Sequence, residues 1–128
     1  MVFTGAVPEA ELPAHYAVGD VYVHTGREES FGLSVIEAMS LGLPVVSVAE
    51  GGPCDTVRDG WNGYLTAATP EALGEATARL LADPQIAHEM GQYGATFAAR
   101  EFRWERGART LLRVVETISS RLGAAGHA

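Results

Sequence analysis

The chain of 128 residues has the length of one domain with a buried core, and its mean hydropathy of +0.06 with 20% charged residues is typical of a globular protein. Its single cysteine, Cys54, excludes an internal disulfide and a cysteine-cluster metal site. No apolar run approaches the ~20 residues of a membrane span, and the chain does not open on a secretory signal, so we expect a cytoplasmic location.

The charged residues are distributed unevenly along the chain. All nine basic residues are arginines, so this chain has no lysine to form a Schiff base or a P-loop. Residues 1–60 contain two arginines against nine acidic residues, whereas residues 61–128 contain seven of each. The net charge of −7 therefore lies in the first half, which would repel a nucleic acid, and we expect no nucleic-acid partner.

The first half of the chain alternates short strands and short helices. Four segments have the apolar, β-branched or aromatic composition of strands, at residues 2–3, 20–24, 44–48 and 63–65. Three helices are predicted between them, at residues 8–16, 32–42 and 53–58. Polar residues 25–31 form a loop, and Glu50 with the two glycines that follow forms a tight turn.

The second half is predicted to be helical. Thr69 is a suitable N-cap for a helix that ends at Asp83, and Asp83 with the following proline starts a second helix. A third helix begins at about Trp104. We assign residues 1–122 to one domain and residues 123–128 to a disordered tail.

Alternating strands and helices predict an α/β fold with a Rossmann-like parallel sheet of about four strands flanked by helices. A doubly wound nucleotide-binding sheet usually has about six strands. We therefore interpret the chain as a truncated domain that lacks its first strand–helix units.

Two glycine-containing loops follow neighbouring strands and meet at the carboxyl edge of such a sheet, where ligands bind. Gly32 has no Cβ, so a phosphate oxygen can approach the backbone amides of Gly32 and Leu33 at the positive end of the following helix. Alternatively, Gly32 and the Gly51-Gly52 pair only permit tight turns, and the glycines alone favour this second interpretation.

Glu29 and Glu37 are the candidate ligand-binding carboxylates. Eight helical residues would separate them by ~12 Å, which is too far for the ~5 Å pair of a retaining glycosidase. We place Glu29 on the loop and Glu37 on the helix, where each accepts hydrogen bonds from hydroxyls of one extended ligand. Glu37 is either on a solvated face of the helix or in its buried part. Its position between Ile36 and Ala38 in an apolar helix favours a buried and paired carboxylate.

Other candidate groups carry weaker signals. His24 ends a strand and either lines the crevice or belongs to the core. Cys54 follows the Gly-Gly turn, and a small buried side chain is a better interpretation than a reactive thiol. Arginines on the last two helices form a stripe that is either a solvated, ion-paired face or a contact for acidic lipid or a partner; interleaved glutamates favour the first. No histidine has metal-ligand spacing, so we expect no metal site. No cofactor is expected either.

A longer string of residues resembles a known family. The segment resembles the E-x7-E signature of retaining GT-B glycosyltransferases, particularly the family 4 group, over Glu29-Ser30-Phe31-Gly32-Leu33-Ser34-Val35-Ile36-Glu37-Ala38-Met39. Further elements match in the same order, namely Gly42-Leu43-Pro44-Val45-Val46, Gly51-Gly52 and residues 59–65. The resemblance extends from residue 2 to about residue 85.

The resemblance implies the C-terminal, donor-binding domain of an enzyme that moves a hexosyl group from a UDP- or GDP-sugar with retention of configuration. In such a domain Glu29 contacts hydroxyls of the donor sugar, and Glu37 binds the ribose. The segment Ser30-Phe31-Gly32-Leu33 lies along the sugar and diphosphate, and Gly51 and Gly52 border the same cleft. No catalytic residue is assigned to this chain.

The chain also departs from the family pattern. His24-Thr25 replaces the common Pro-Ser, and Asp55 replaces a frequent glutamate. The family's phosphate-neutralising residues and its acceptor-binding N-terminal domain lie upstream of the matched region. The resemblance therefore implies an N-terminal partner domain, and it predicts that this chain alone does not complete the transfer. An uncovered half-sheet predicts self-association. The alternatives are a non-catalytic fragment and a GT-B-shaped sugar-nucleotide epimerase.

Overall fold

The computed structural model describes the backbone of residues 1–125 and the side chains of residues 1–103 and 105–118. All pairs of neighbouring strands are parallel, which confirms the predicted α/β class. The strands follow one another across the sheet in chain order: β1 (Tyr22–His24), β2 (Val45–Val48) and β3 (Gly63–Thr66). Because the strands are parallel, the loops that follow them leave the same edge of the sheet.

The strand predicted at residues 2–3 is absent, so the sheet has three strands within residues 1–125 instead of about four. Val2 and Phe3 are exposed and do not pair with β1. Apolar composition favours a strand only where a neighbouring strand supplies hydrogen bonds and a face to pack against. Residues 2–3 have neither, and the prediction from composition is wrong here.

A 3₁₀ turn at Glu9–Glu11 precedes the α-helices of the described residues: α1 (Leu12–Ala17), α2 (Leu33–Ser40), α3 (Pro53–Thr56), α4 (Pro70–Ala82), α5 (Pro84–Glu101) and α6 (Trp104–Ala125). The two predicted caps are confirmed. Thr69 Oγ1 accepts from Ala72 N at 3.2 Å, and Asp83 Oδ1 accepts from Ile86 N at 3.1 Å. Helix α6 continues past residue 122, where we expected a tail to begin, and residues 126–128 lie outside the described residues.

Strand β2 is the centre of the core because both of its faces are buried. Val45 belongs to a cluster on one face of the sheet, formed with α2 and α5 by Val35, Ala38, Met39, Phe97 and Ala98. Val46 belongs to a second cluster on the other face, formed with α4 and α5 by Ala76, Leu80 and Met90. Helices therefore cover both faces of β2 and hold its carboxyl end in place.

Helix α6 is exposed along its described length. Its large apolar side chains are about half exposed or more, at Leu111, Leu112, Val114, Val115 and Ile118. The arginine stripe begins near the end of α5, where Arg100 and Arg106 both pair with Glu101, at 3.3 Å and 3.0 Å. These pairs agree with the interpretation of the stripe as a solvated, ion-paired face.

Candidate functional site

Two loops at the carboxyl edge of the sheet contact each other directly. Gly52 N donates a hydrogen bond to Glu29 O at 2.7 Å. A Cβ on Gly52 would lie 2.5 Å from the Cα of Phe31, and a Cβ on Gly51 would collide with Glu29 O. Gly51 also has a φ of +65°. The two glycines therefore have a demonstrated structural role, which is to let the turn after β2 close against the loop after β1.

The carboxylate of Glu29 is turned toward its own loop. Glu29 Oε1 accepts from Gly32 N at 3.1 Å and from Phe31 N at 3.3 Å. These N–H groups, first that of Gly32 and then that of Phe31, lower the pKa of the Glu29 carboxyl below its usual value. The bonds from Gly32 and Phe31 both end on Oε1, which leaves Oε2 to accept from a ligand.

Gly32 is the N-cap of α2 and has a left-handed backbone, with φ +76° and ψ 49°. It is buried against Pro53 and Val35, and its amide already binds Glu29. The sequence predicted that this amide is open to a phosphate, but in the structure a phosphate reaches it only if the Glu29 carboxylate moves. Leu33, by contrast, is 63% exposed at the first position of the helix, where N–H groups lack an intrahelical partner.

Glu37 is exposed, so the prediction of a buried carboxylate is wrong. The buried stripe of α2 consists of Val35, Ala38 and Met39, and Glu37 lies on the other side of the helix. It follows Leu33 by four residues, so both occupy the same exposed face. The carboxylate is nevertheless paired, because Tyr16 Oη donates to Glu37 Oε2 at 3.0 Å.

Tyr16 is a site residue that the sequence did not assign. It lies on α1, beside a cavity of about 250 Å³ that Glu37 and Ser40 also line. Burial, and then the hydrogen bond to Glu37, raise the pKa of the Tyr16 hydroxyl well above its usual value. The hydroxyl therefore stays protonated and orients the Glu37 carboxylate as a hydrogen-bond donor.

A bidentate ion pair, which no sequence pattern predicted, joins the same two loops. Arg27 Nε donates to Glu50 Oε2 at 3.0 Å, and Arg27 Nη2 donates to Glu50 Oε1 at 3.1 Å. Both side chains are well exposed, at 66% and 39%. Arg27 thus adds a cation to the carboxyl edge of a negatively charged half of the chain.

His24 and Cys54 are two further residues that the sequence analysis singled out. The ring of His24 stacks on Tyr22, and its Nε2 is buried without a hydrogen-bond partner among the described residues. Cys54 is exposed, which corrects the expectation of a small buried side chain.

Among the described residues, no cluster of histidine, cysteine or acidic side chains has the geometry of a metal site. No helix within residues 1–125 has the length and apolar character needed to cross a membrane.

Ser30 and Phe31 complete the candidate site. Both are exposed on the loop between Arg27 and α2, and the ring of Phe31 makes an edge contact with Phe102, with centroids 5.9 Å apart. The structure therefore brings Glu29, Ser30, Phe31, Gly32, Gly51 and Gly52 together at one edge of the sheet. Leu33 and Glu37 continue from that edge along the exposed face of α2.

Comparison with known proteins identifies the family that carries this arrangement. The family model described as "Glycosyl transferases group 1" matches residues 1–97. The chain belongs to this family. The match includes both glutamates, the Gly-Gly turn and all three strands, which confirms the resemblance noted in the sequence.

Curated relatives carry the names of glycosyltransferases. A GDP-mannose-dependent α-(1-6)-phosphatidylinositol monomannoside mannosyltransferase from Mycolicibacterium smegmatis is 40% identical over 118 residues, covering 85% of this chain and 31% of the relative. A D-inositol 3-phosphate glycosyltransferase from Corynebacterium urealyticum is 34% identical over 112 residues, covering 87% of this chain and 26% of the relative. The chain thus spans about a third or less of the length of these relatives.

Solved structures show the same fold. Sucrose-phosphate synthase from Thermosynechococcus elongatus superposes with a TM-score of 0.85 and 32% identity, over 94% of this chain and 30% of the synthase chain. Anabaena HepE in complex with UDP superposes with a TM-score of 0.75 and 29% identity, over 88% of this chain and 30% of that chain. The α/β sheet of this chain therefore matches part of GT-B glycosyltransferase structures.

Proposed function

We propose that this chain is the donor-binding part of a retaining glycosyltransferase that moves a hexosyl group from a nucleoside diphosphate sugar to an acceptor. The observation that carries the proposal is the position of Glu29 and Glu37. Glu29 lies on the loop that closes against Gly51 and Gly52, and Glu37 lies on the exposed face of α2. An extended ligand laid along that face meets both carboxylates.

In this proposal each part of the donor has its own contacts. Glu29 Oε2 accepts from hydroxyls of the sugar, while Oε1 stays on the loop amides. The diphosphate lies at the start of α2, near the exposed Leu33, where the helix dipole favours negative charge. Glu37, oriented by Tyr16, accepts from the two hydroxyls of the ribose.

The nucleotide is proposed to be UDP or GDP. Anabaena HepE is described in complex with UDP, and the name of the Mycolicibacterium smegmatis relative specifies GDP-mannose. The proposed diphosphate and ribose contacts are common to both nucleotides, so they do not select the base. Competition between UDP and GDP for the same protein sample distinguishes the two.

In this proposal transfer requires a second domain that binds the acceptor, as the resemblance to GT-B glycosyltransferases implies. The exposed apolar side of α6 supports such a partner, since a face with Leu111, Val115 and Ile118 gains free energy when it is covered. The chain alone is expected to bind donor without turning it over.

We propose that the transfer takes place in the cytoplasm. Acidic lipid, bound by the arginines of α6, is a second proposed contact.

The experiment is isothermal titration of the 128-residue chain with UDP and with GDP, for the wild type and for Glu37→Gln. The wild type is expected to bind at least one nucleotide, and loss of the charge on Glu37 is expected to weaken binding by about tenfold, because a charged acceptor is replaced by a neutral one. Glu75→Gln on α4 removes the same charge away from the site and serves as the matched control. Absence of heat with both nucleotides at millimolar concentration would favour the alternative, a fragment without binding activity.

A further inference from the structure

The ion pair between Arg27 and Glu50 bridges the two loops that form the candidate site. Arg27 lies in the loop after β1, two residues before Glu29, and Glu50 immediately precedes Gly51 in the turn after β2. Both oxygens of the carboxylate face two N–H groups of the guanidinium, at 3.0 Å and 3.1 Å. A phosphate group offers a guanidinium the same pair of oxygens, so the geometry suits either partner.

Arg27 is one of very few cations in the first half of the chain. Residues 1–60 contain nine acidic residues and only two arginines. The second arginine, Arg58, lies over the rings of Trp61 and Phe97 in the segment before β3, at the amino end of that strand. Arg27 is therefore the one cation of residues 1–60 that lies at the carboxyl edge, where a phosphate-bearing ligand would arrive.

A cavity lies beside Arg27 at that edge. It has a volume of about 310 Å³ and touches the carboxyl end of every strand, through Thr25 after β1, Val48 in β2 and Ala68 after β3. Its rim also includes Thr69, the N-cap of α4. A guanidinium released from Glu50 thus has open space at the carboxyl edge, on the side of the sheet that α4 covers, into which it can turn.

We infer that Arg27 is a phosphate-binding residue of this crevice and that Glu50 occupies its guanidinium until a ligand phosphate replaces it. The inference deepens the proposed function and rests on it. The shared ligand chemistry is a phosphate group, carried either by the donor as a diphosphate or by an acceptor as a monoester. Glu50 acts as an internal substitute for that phosphate.

The exposure of the pair favours exchange over a fixed clamp. Arg27 is 66% exposed and Glu50 is 39% exposed, and water and salt screen ion pairs at such sites. A phosphate with more than one negative charge attracts the guanidinium more strongly than a single carboxylate does. In a fixed clamp, Arg27 and Glu50 would contribute to ligand binding in the same direction; in an exchange they contribute in opposite directions.

The experiment follows single residues by NMR in the full chain labelled with ¹⁵N. The Arg27 Nε–Hε signal, assigned by its loss in Arg27→Gln, and the backbone amides of Phe31 and Leu33 are monitored together. UDP tests the donor diphosphate and glycerol 3-phosphate tests a phosphate monoester. Arg109→Gln on α6 and Glu75→Gln on α4 are matched charge controls.

The two variants have opposite expected effects. Glu50→Gln is expected to tighten binding of the effective ligand by at least about twofold, because a competing negative charge is removed. Arg27→Gln is expected to weaken the same binding by at least about threefold and to reduce its salt dependence. The Arg27 signal should shift with UDP if the donor supplies the phosphate, and with glycerol 3-phosphate if the acceptor does.

Failure of this inference differs from failure of the proposed function. If UDP shifts the amides of Phe31 and Leu33 while neither ligand moves the Arg27 signal, the inference is overturned and donor binding stands. If glycerol 3-phosphate moves Arg27 while UDP leaves the amides unchanged, the phosphate site stands and the donor proposal fails. Weaker binding in both Glu50→Gln and Arg27→Gln would show a fixed clamp and overturn the exchange.

Discussion

The N–H group of Gly52 donates a hydrogen bond of 2.7 Å to the carbonyl oxygen of Glu29, and this bond joins two motifs that lie 23 residues apart in the chain. The Gly-Gly turn and the loop of the first signature glutamate are therefore one structural unit. Any change that separates them is expected to disturb both the fold at the carboxyl edge and the ligand contacts that depend on it.

Substitution of Gly52 by alanine tests this unit directly. The added Cβ would lie 2.5 Å from Phe31 Cα, so backbone must shift, and we expect a loss of about 1–3 kcal/mol in the free energy of unfolding. Urea denaturation measures the loss. Gly74→Ala, in α4 with open space around the new Cβ, is the control and should stabilise the chain by about 0.5–1 kcal/mol. Equal stabilities of the two variants would contradict the close packing of the loops.

The charge of Glu29 makes the stability of its loop depend on pH. Its folded-state pKa is lowered by the N–H groups of Gly32 and Phe31. The contribution is therefore fully present above the unfolded value of about 4.3 and is lost as the pH falls through the lower folded-state pKa. Glu29→Gln keeps an oxygen acceptor but cannot titrate, so its stability should fall less than that of the wild type below about pH 4.

The variant Glu28→Gln, which changes the neighbouring exposed residue, is the control for this pH dependence. Within the described residues no hydrogen bond to the Glu28 side chain is present, so this variant should follow the wild-type curve. Parallel acid-denaturation curves for all three proteins would show that the bonds from Gly32 and Phe31 do not persist in solution.

Removal of the Tyr16 hydroxyl should affect ligand binding as well as stability. Tyr16→Phe deletes the donor to Glu37 Oε2, which costs about 1 kcal/mol of stability and leaves the carboxylate free to rotate. We expect nucleotide affinity to fall by about threefold, measured by calorimetry. Tyr93→Phe, whose ring stacks on Trp61 at the outer face of α5, should leave affinity unchanged. The same affinity in both variants would exclude an orienting role for Tyr16.

The exposed face of α6 predicts self-association of the chain in the absence of a covering domain. Leu111 and Val115 lie one turn apart and are both more than half exposed. Light scattering of the wild type should give a mass above the 13.5 kDa of one chain, and a Leu111→Ser/Val115→Ser variant should approach that value. A monodisperse 13.5 kDa wild type would contradict the prediction.

Elements with strong local signals were predictable from the sequence. The β-branched residues within 44–48 predicted the strand β2, and the threonine and aspartate before α4 and α5 predicted the starts of those helices. The strand at residues 2–3 failed because a strand depends on a neighbour that composition does not reveal.

The site was predictable where it follows a motif and not where it depends on distant contacts. Glu37 was expected to be buried because its sequence neighbours are apolar, but the helical period places it opposite the stripe of Val35, Ala38 and Met39. Its bond to Tyr16 and the pair of Arg27 with Glu50 join residues more than 20 positions apart. No periodicity or spacing encodes such contacts, and only the fold brings them together.

A crystal structure of the chain with bound UDP or GDP is the sharpest test of donor binding along α2. We expect ribose hydroxyls within about 3.2 Å of the Glu37 carboxylate, and the diphosphate beside the start of α2. A nucleotide bound away from α2, with Glu37 still bonded to Tyr16 and to no part of the ligand, would contradict it.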